Sequence, residues 1–386
     1  MPCDFDRDLI KVTEYEVLGK LPDPFLCKDG TVADTAEKWA ARRAEMYKDV
    51  IELQYGTQPP APEFVEVELL FCGGGLIKMD SYRIHTGTRE CPVSFNMQVF
   101  RPDSEGPWPV VVDGDGCFNY YCDNDFLRTF LDKGIAFCIF NRTELAHDVQ
   151  GEARENAGQM YRTYPDYTFG ALGAWAWGFS RCVDALEQIG GFDLSLLAFT
   201  GHSRGGKTAM LAGALDERAT VVAPNETNAG SCGCYRIHME AVQEDGGIQR
   251  SERLSDISRN YPFWFGPEFP NYAHCEQDLP FDSHFLKAMV APRVLMVAEA
   301  ASDIWTNPIG SWQTTMAAKE VFQMLGVEEN LYWYFRRGFH AHKVEDVRRL
   351  VNVMCHIRDG EELEDTFFET PFQQPELIFD WRNPNA

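Results

Sequence analysis

The chain has 386 residues and a formal charge of −24, from 35 Lys plus Arg against 59 Asp plus Glu. That balance argues against a nucleic-acid binder and against docking on an anionic membrane surface, both of which need a basic face. Hydrophobic residues at 45% and charged residues at 24% are ordinary for a globular protein, and no run approaches the ~18 apolar residues of a membrane helix.

The start, Met1-Pro2-Cys3-Asp4, has no basic stretch followed by an apolar one. The expectation is no secretion signal and a cytoplasmic location. The 12 Cys are scattered without a repeated spacing, which reads as buried small hydrophobes in a reducing compartment. Cys232-Gly233-Cys234 is the one close pair. With no second pair beside it, no metal and no cofactor are expected.

Residues 1–64 read as a lead-in packed on a catalytic domain of residues 65–386. Within the lead-in, 35–48 is rich in helix formers, and Thr57-Gln58-Pro59-Pro60-Ala61-Pro62 breaks the chain. Short β-like runs follow at 65–71, 93–100 and 108–112. A helix is predicted over 123–133, with Gly134 as its stop. Next come a strand at 135–140, a long loop carrying Arg142 and Asp148, and an apolar helix at 171–189. A strand at 196–199 leads into Gly201-His202-Ser203-Arg204-Gly205-Gly206-Lys207 and a small-residue helix at 208–215. Strands at 220–223, 293–297 and 331–335 then alternate with helices at 311–325 and 344–354. Alternation of this kind predicts an α/β fold, a mostly parallel sheet with helices on both faces, and the opening strands as an antiparallel edge.

Gly201-x-Ser203-x-Gly205 stands between an apolar strand and a helix, the setting of a nucleophile elbow. The turn is too tight for bulky neighbours, hence a glycine on either side. It lifts the hydroxyl above the sheet and aims a helix N-terminus at the reacting carbonyl. Such folds place the acid next in the chain and the His last. His340, in the loop after the strand at 331–335, fits the base, with His342 two residues on as its rival. Two carboxylates sit after strands, Glu226 and Asp303. The aromatic run Tyr261-Pro262-Phe263-Trp264-Phe265 reads as packing rather than sugar stacking.

At these residues the sequence resembles the glucuronoyl esterase family, carbohydrate esterase family fifteen. The likeness is carried by Gly201-His202-Ser203-Arg204-Gly205-Gly206-Lys207 together with Gly173-Ala174-Trp175-Ala176-Trp177-Gly178. Leu21-Pro22-Asp23-Pro24-Phe25, Leu279-Pro280-Phe281-Asp282-Ser283-His284 and Ala291-Pro292-Arg293 add to it. The resemblance implies an α/β-hydrolase fold, a three-layer sandwich that needs no metal. It also implies cleavage of a glucuronic acid ester through an acyl-enzyme. Ser203 then corresponds to the nucleophile, His340 to the base and Glu226 to the acid, while Asp303 resembles a second acid that some bacterial members use. Arg204 corresponds to the oxyanion-stabilising Arg, Lys207 to a residue touching sugar hydroxyls, and Trp305 to an aromatic that packs on the sugar. The family usually carries Cys just before the nucleophile and just after the catalytic His, often joined; here those positions are His202 and Ala341.

The implied partner is a small-molecule or oligosaccharide ester. Two alternatives share the fold class: a deacetylase or general carboxylesterase with the same triad, and an inactive carbohydrate-binding protein. Oligomeric state is not legible in the sequence.

Overall fold

The computed structural model describes residues 11–75, 77–242, 246–363 and 376–386. Twelve strands run in chain order: β1 Lys11–Val17, β2 Phe64–Gly73, β3 Lys78–Gly87, β4 Pro92–Arg101, β5 Trp108–Asp113, β6 Ala136–Phe140, β7 Phe192–His202, β8 Val221–Asn225, β9 Ile237–Val242, β10 Ile248–Arg250, β11 Val294–Ala300 and β12 Leu331–Arg336. Six longer helices accompany them: α1 Ala36–Met46, α2 Asn124–Leu131, α3 Ala171–Ile189, α4 Arg204–Leu215, α5 Pro308–Met324 and α6 Val344–Asp359. None of the described helices is long and apolar enough to cross a membrane.

Nine strands form one sheet in the order β12-β11-β8-β7-β5-β6-β4-β3-β2. From β12 to β6 neighbours are parallel, whereas β4, β3 and β2 continue the sheet antiparallel. An antiparallel edge is present but is made of β2, β3 and β4: the run at 108–112, expected in it, is β5, a central strand parallel to β6 and β7. β3 went unread because it buries Asp80 and Thr86 alongside Tyr82 and Ile84 on its inward positions, and polar residues there hide the two-residue period.

Side chains alternate across the central strands. Val110 and Val112 join a core under α3 and α4, while Val111 faces the opposite core, where Phe126 and Phe130 of α2 meet Val347, Leu350 and Met354 of α6. These are the three layers of the α/β fold. Phe25, Trp39, Met46, Val50 and Tyr55 of the lead-in enter the same core as α3. Its strand β1 pairs antiparallel with β9, and β10 pairs with β9 on the other side.

Every strand that matters to the chemistry ends on one side of the sheet. The residues just past β5, β6, β7, β8, β11 and β12 converge there, outside the carboxyl ends of parallel strands, where open α/β sheets bind ligands.

Candidate active site

Ser203 sits at the β7–α4 turn with φ 56° and ψ −119°, a region that L side chains avoid at a cost of about 1–3 kcal/mol. Packing around the turn enforces that conformation. A Cβ on Gly201 would lie 2.6 Å from the Gly205 carbonyl carbon, and one on Gly206 would lie 2.8 Å from Gly201 O. The strained turn is fastened by Ser203 N–H donating to Asn225 O at 2.9 Å. One residue earlier, His202 N–H donates to Asp115 Oδ2 at 2.8 Å. Helix α4 starts at Arg204 and so directs its unpaired N–H groups past the serine. Its start precedes the predicted one by four residues, because Gly205-Gly206 masks the helical pattern.

His340 lies on the loop after β12. Its Nδ1 meets Asp303 Oδ2 at 2.5 Å and Glu226 Oε2 at 3.4 Å. Burial works against the imidazolium, but the hydrogen bonds of Asp303 and then Glu226 outweigh it and push the ring up to about 10. The structure thus brings both predicted acids to one nitrogen, with Asp303 the nearer and Glu226, the family's usual position, the more distant. Among the described residues the Ser203 hydroxyl has no hydrogen-bond partner. The His340 ring lies 4.4 Å from that of His202, the residue before Ser203, and no hydrogen bond joins His340 to Ser203 Oγ among the described residues. Catalytic hydrogen bonds of this kind often form only when substrate arrives.

Glu226 has a second task. Its Oε1 pairs with Arg336 Nη2, and its Oε2 accepts Ala341 N–H at 2.8 Å. Burial raises its carboxyl to about 7 against the opposing pull of His340 and Arg336. Fully buried Arg336 also donates to Asp346 Oδ1 at 2.7 Å and to the carbonyls of Arg337, Phe339 and Ala341. One guanidinium therefore shapes the whole loop that carries His340. The rival His342 turns into the interior instead, edge-on to Phe126 at 5.0 Å, where burial drives it down to about 3.

Arg204 does not swing free beside the serine. Its Nη1 donates to Asp148 Oδ2 at 2.8 Å, and its guanidinium lies 5.0 Å and 4.9 Å from the ring centres of Tyr261 and Trp264. Those rings stack at 4.0 Å, and Trp264 Nε1 donates to Asp148 Oδ1 at 2.9 Å. Tyr261 and Trp264, read from sequence as packing, thus also support the arginine.

Lys207 is buried. Its Nζ donates to Ala229 O at 2.7 Å and lies 3.6 Å from Glu252 Oε2. Burial lowers its ammonium and raises Glu252 to about 7, with the pair opposing both shifts. Trp305, 38% exposed, stands next to this pair, since Glu252 N–H donates to Trp305 O at 3.0 Å. Asp115, Asp148, Glu252 and Arg336 were not assigned roles from the sequence. The usable signal was position: Asp115 and Asp148 follow β5 and β6 as Ser203 follows β7.

His202, Glu226 and His340 place donor atoms within 4.8 Å of one another, yet Arg336 already shares the Glu226 carboxylate and Asn225 Oδ1 holds His202 Nδ1 at 2.7 Å. Cys232 and Cys234 are buried free thiols.

The family described as "Glucuronyl esterase, fungi" matches residues 84–326. The 4-O-methyl-glucuronoyl methylesterase of Podospora anserina is 32% identical over 331 residues, which cover 84% of this chain and 64% of that protein. The chain belongs to the glucuronyl esterase family. Among solved structures, the carbohydrate esterase family 15 glucuronoyl esterase of Caldicellulosiruptor kristjansonii superposes with a TM-score of 0.82 at 28% identity, covering 95% of this chain and 98% of that one. A serine-to-alanine mutant of the Sporotrichum thermophile glucuronoyl esterase, in complex with methyl 4-O-methyl-β-D-glucopyranuronate, superposes with a TM-score of 0.72 at 26% identity and 90% coverage of both chains. The fold shared with these esterases is the α/β-hydrolase fold. The chain spans just under two thirds of the Podospora relative's length.

Proposed function

We propose that this chain is a serine carboxylic-ester hydrolase that cleaves an ester of glucuronic acid. The observation that carries this reading is the imidazole of His340, held at Nδ1 by two carboxylates beside a strained elbow serine. Membership of a family with a solved relative that binds a methyl glucuronate ester supplies the substrate class.

Ser203 Oγ attacks the ester carbonyl as His340 takes its proton, and His340 then protonates the departing alcohol. Water attacks the acyl-enzyme with the same base, giving the uronic acid and free Ser203. Asp303 orients the ring and stabilises its cation, while Glu226 fixes the loop through Arg336 and Ala341. The oxyanion meets the N–H groups at the start of α4 and the Arg204 guanidinium, a cation directed at charge that develops only in the transition state. Trp305 forms the sugar-facing wall, and Lys207 acts through Glu252. A cytoplasmic site of action is supported by the eleven described cysteines, all free thiols.

The test is hydrolysis of methyl 4-O-methyl-glucuronate against an acetylated xylo-oligosaccharide, each followed by release of its alcohol or acetate. Turnover of the uronate ester that vanishes in Ser203→Ala supports the reading. Deacetylation without uronate-ester cleavage refutes it.

A further inference from the structure

Four cations lie around the nucleophile, and each faces a carboxylate. Arg142 pairs with Asp115, Arg336 with Glu226 and Asp346, Lys207 with Glu252, and Arg204 with Asp148. The first three pairs are buried. Arg204 alone keeps an open side, at 26% exposure, and it directly follows Ser203. Arg337 and Lys343 stand farther out, exposed on the loop that carries His340.

We propose that Asp148 is the residue that makes this pocket prefer the neutral uronate ester over its anionic product, an inference that rests on the proposed function. An oxyanion concentrates its charge on one oxygen, so a single N–H donor serves it. A product carboxylate spreads its charge over two oxygens, which a free guanidinium grips with two parallel bonds. Asp148 Oδ2 accepts from Nη1 of that fork at 2.8 Å and sets a negative charge beside it, while Nη2 donates to the neutral Tyr261 hydroxyl at 3.4 Å.

The carboxylate is fixed rather than mobile. Trp264 Nε1 donates to its other oxygen at 2.9 Å, and the Tyr261–Trp264 stack at 4.0 Å supports the guanidinium from beneath. Asp148 is therefore a positioning residue that also subtracts charge. Arg204 remains able to meet an oxyanion, but the Asp148 charge beside it offsets its own toward the acid left after deacylation, and one of its fork nitrogens is already engaged.

Asp148→Asn keeps the size of the side chain and removes the charge. Expected is a fall of about ten-fold or more in the inhibition constant of free 4-O-methyl-glucuronate, weakened by added salt, with a smaller change in KM for the methyl ester and recovery in Asp148→Glu. A purely structural role would lower kcat and leave product inhibition unchanged, and that result overturns the inference. A second measurement does not depend on how the Asn variant folds. In Ser203→Ala with Asp148 intact, calorimetry is expected to give the acid an affinity no greater than that of its methyl ester at pH 7. Acid binding about ten-fold tighter than ester would overturn the inference as well. If the unmodified chain cleaves no uronate ester, the proposed function itself fails. If it cleaves the ester while Asp148→Asn leaves product inhibition as it was, only this inference fails.

Discussion

The two acids on His340 Nδ1 are separable by substitution. Raising an imidazole from 6.5 to about 10 corresponds to about 5 kcal/mol of preference for its cation. With the ring 40% exposed, solvent screening cuts this to roughly 2–3 kcal/mol. Asp303, at 2.5 Å against 3.4 Å for Glu226, supplies the larger part. It also sets which nitrogen carries the proton. Asp303→Asn should therefore lower kcat by about 10²- to 10⁴-fold and leave the melting temperature within about 2 °C. Glu226→Gln should show the reverse profile. Arg336 has no exposed surface and would lose one of its two carboxylates, a loss worth about 3–5 kcal/mol for a broken buried pair. Its melting temperature should fall by roughly 4–6 °C, with kcat reduced only about ten-fold. Steady-state kinetics on a methyl glucuronate ester and circular-dichroism melts read both quantities. A Glu226→Gln variant that melts normally yet is the slower of the two would refute this division of labour.

Because His340 is raised, kcat/KM should climb with pH along a limb above the ordinary imidazole value of 6.5, and Asp303→Asn should move that limb downward. The stability linked to this ring has the same origin: it is complete below 6.5 and is lost as pH rises through about 10, which melts recorded between pH 6 and 10 would show. Gly206→Ala would place a methyl 2.7 Å from Thr227 Cγ2 and 2.8 Å from Gly201 O; a loss of about 3 kcal/mol in denaturant stability and of most activity is expected. Trp305→Ala should raise KM for the uronate ester about ten-fold with little change in kcat, since its exposed ring serves binding rather than chemistry.

Much of this architecture was legible because hydrophobic runs and their order encode it. The helix expected at 171–189 has those limits in the structure, and the parallel strands fell at their expected places because they are buried on both faces and read as unbroken apolar runs. What escaped notice was polar by necessity. β3 turns Asp80 inward, and β1, β9 and β10 form a small sheet apart from the main one. The nucleophile was readable because a tight turn demands glycines at a fixed spacing. The ranking of the acids was not, since Glu226 and Asp303 occupy equivalent loops and their distances to one nitrogen depend on how Arg336 bends the His340 loop. The position of Asp148 after β6 was readable, but its pairing was not: Arg204 is 56 positions away, and only the fold brings the two together.

The geometry of the site follows from a ladder of backbone bonds that continues past the ends of the strands. Ser203 N–H after β7 donates to Asn225 O at the end of β8. Glu226 N–H, in turn, donates to Ala298 O on β11, and Ala301 and Ser302 N–H donate to Arg336 O and Gly338 O at and beyond the end of β12. Each turn that bears a reacting group is thus fastened to the next strand along, from nucleophile to acids to base. This explains how two non-glycine residues, Ser203 at φ 56° and Glu226 at φ 45°, can hold left-handed conformations that cost about 1–3 kcal/mol each. Relaxing either would break a bond to its neighbouring strand and shift the acid or the base with it. The strain therefore persists where the chemistry needs rigidity, and the sheet, rather than any one side chain, sets the distances on which turnover depends.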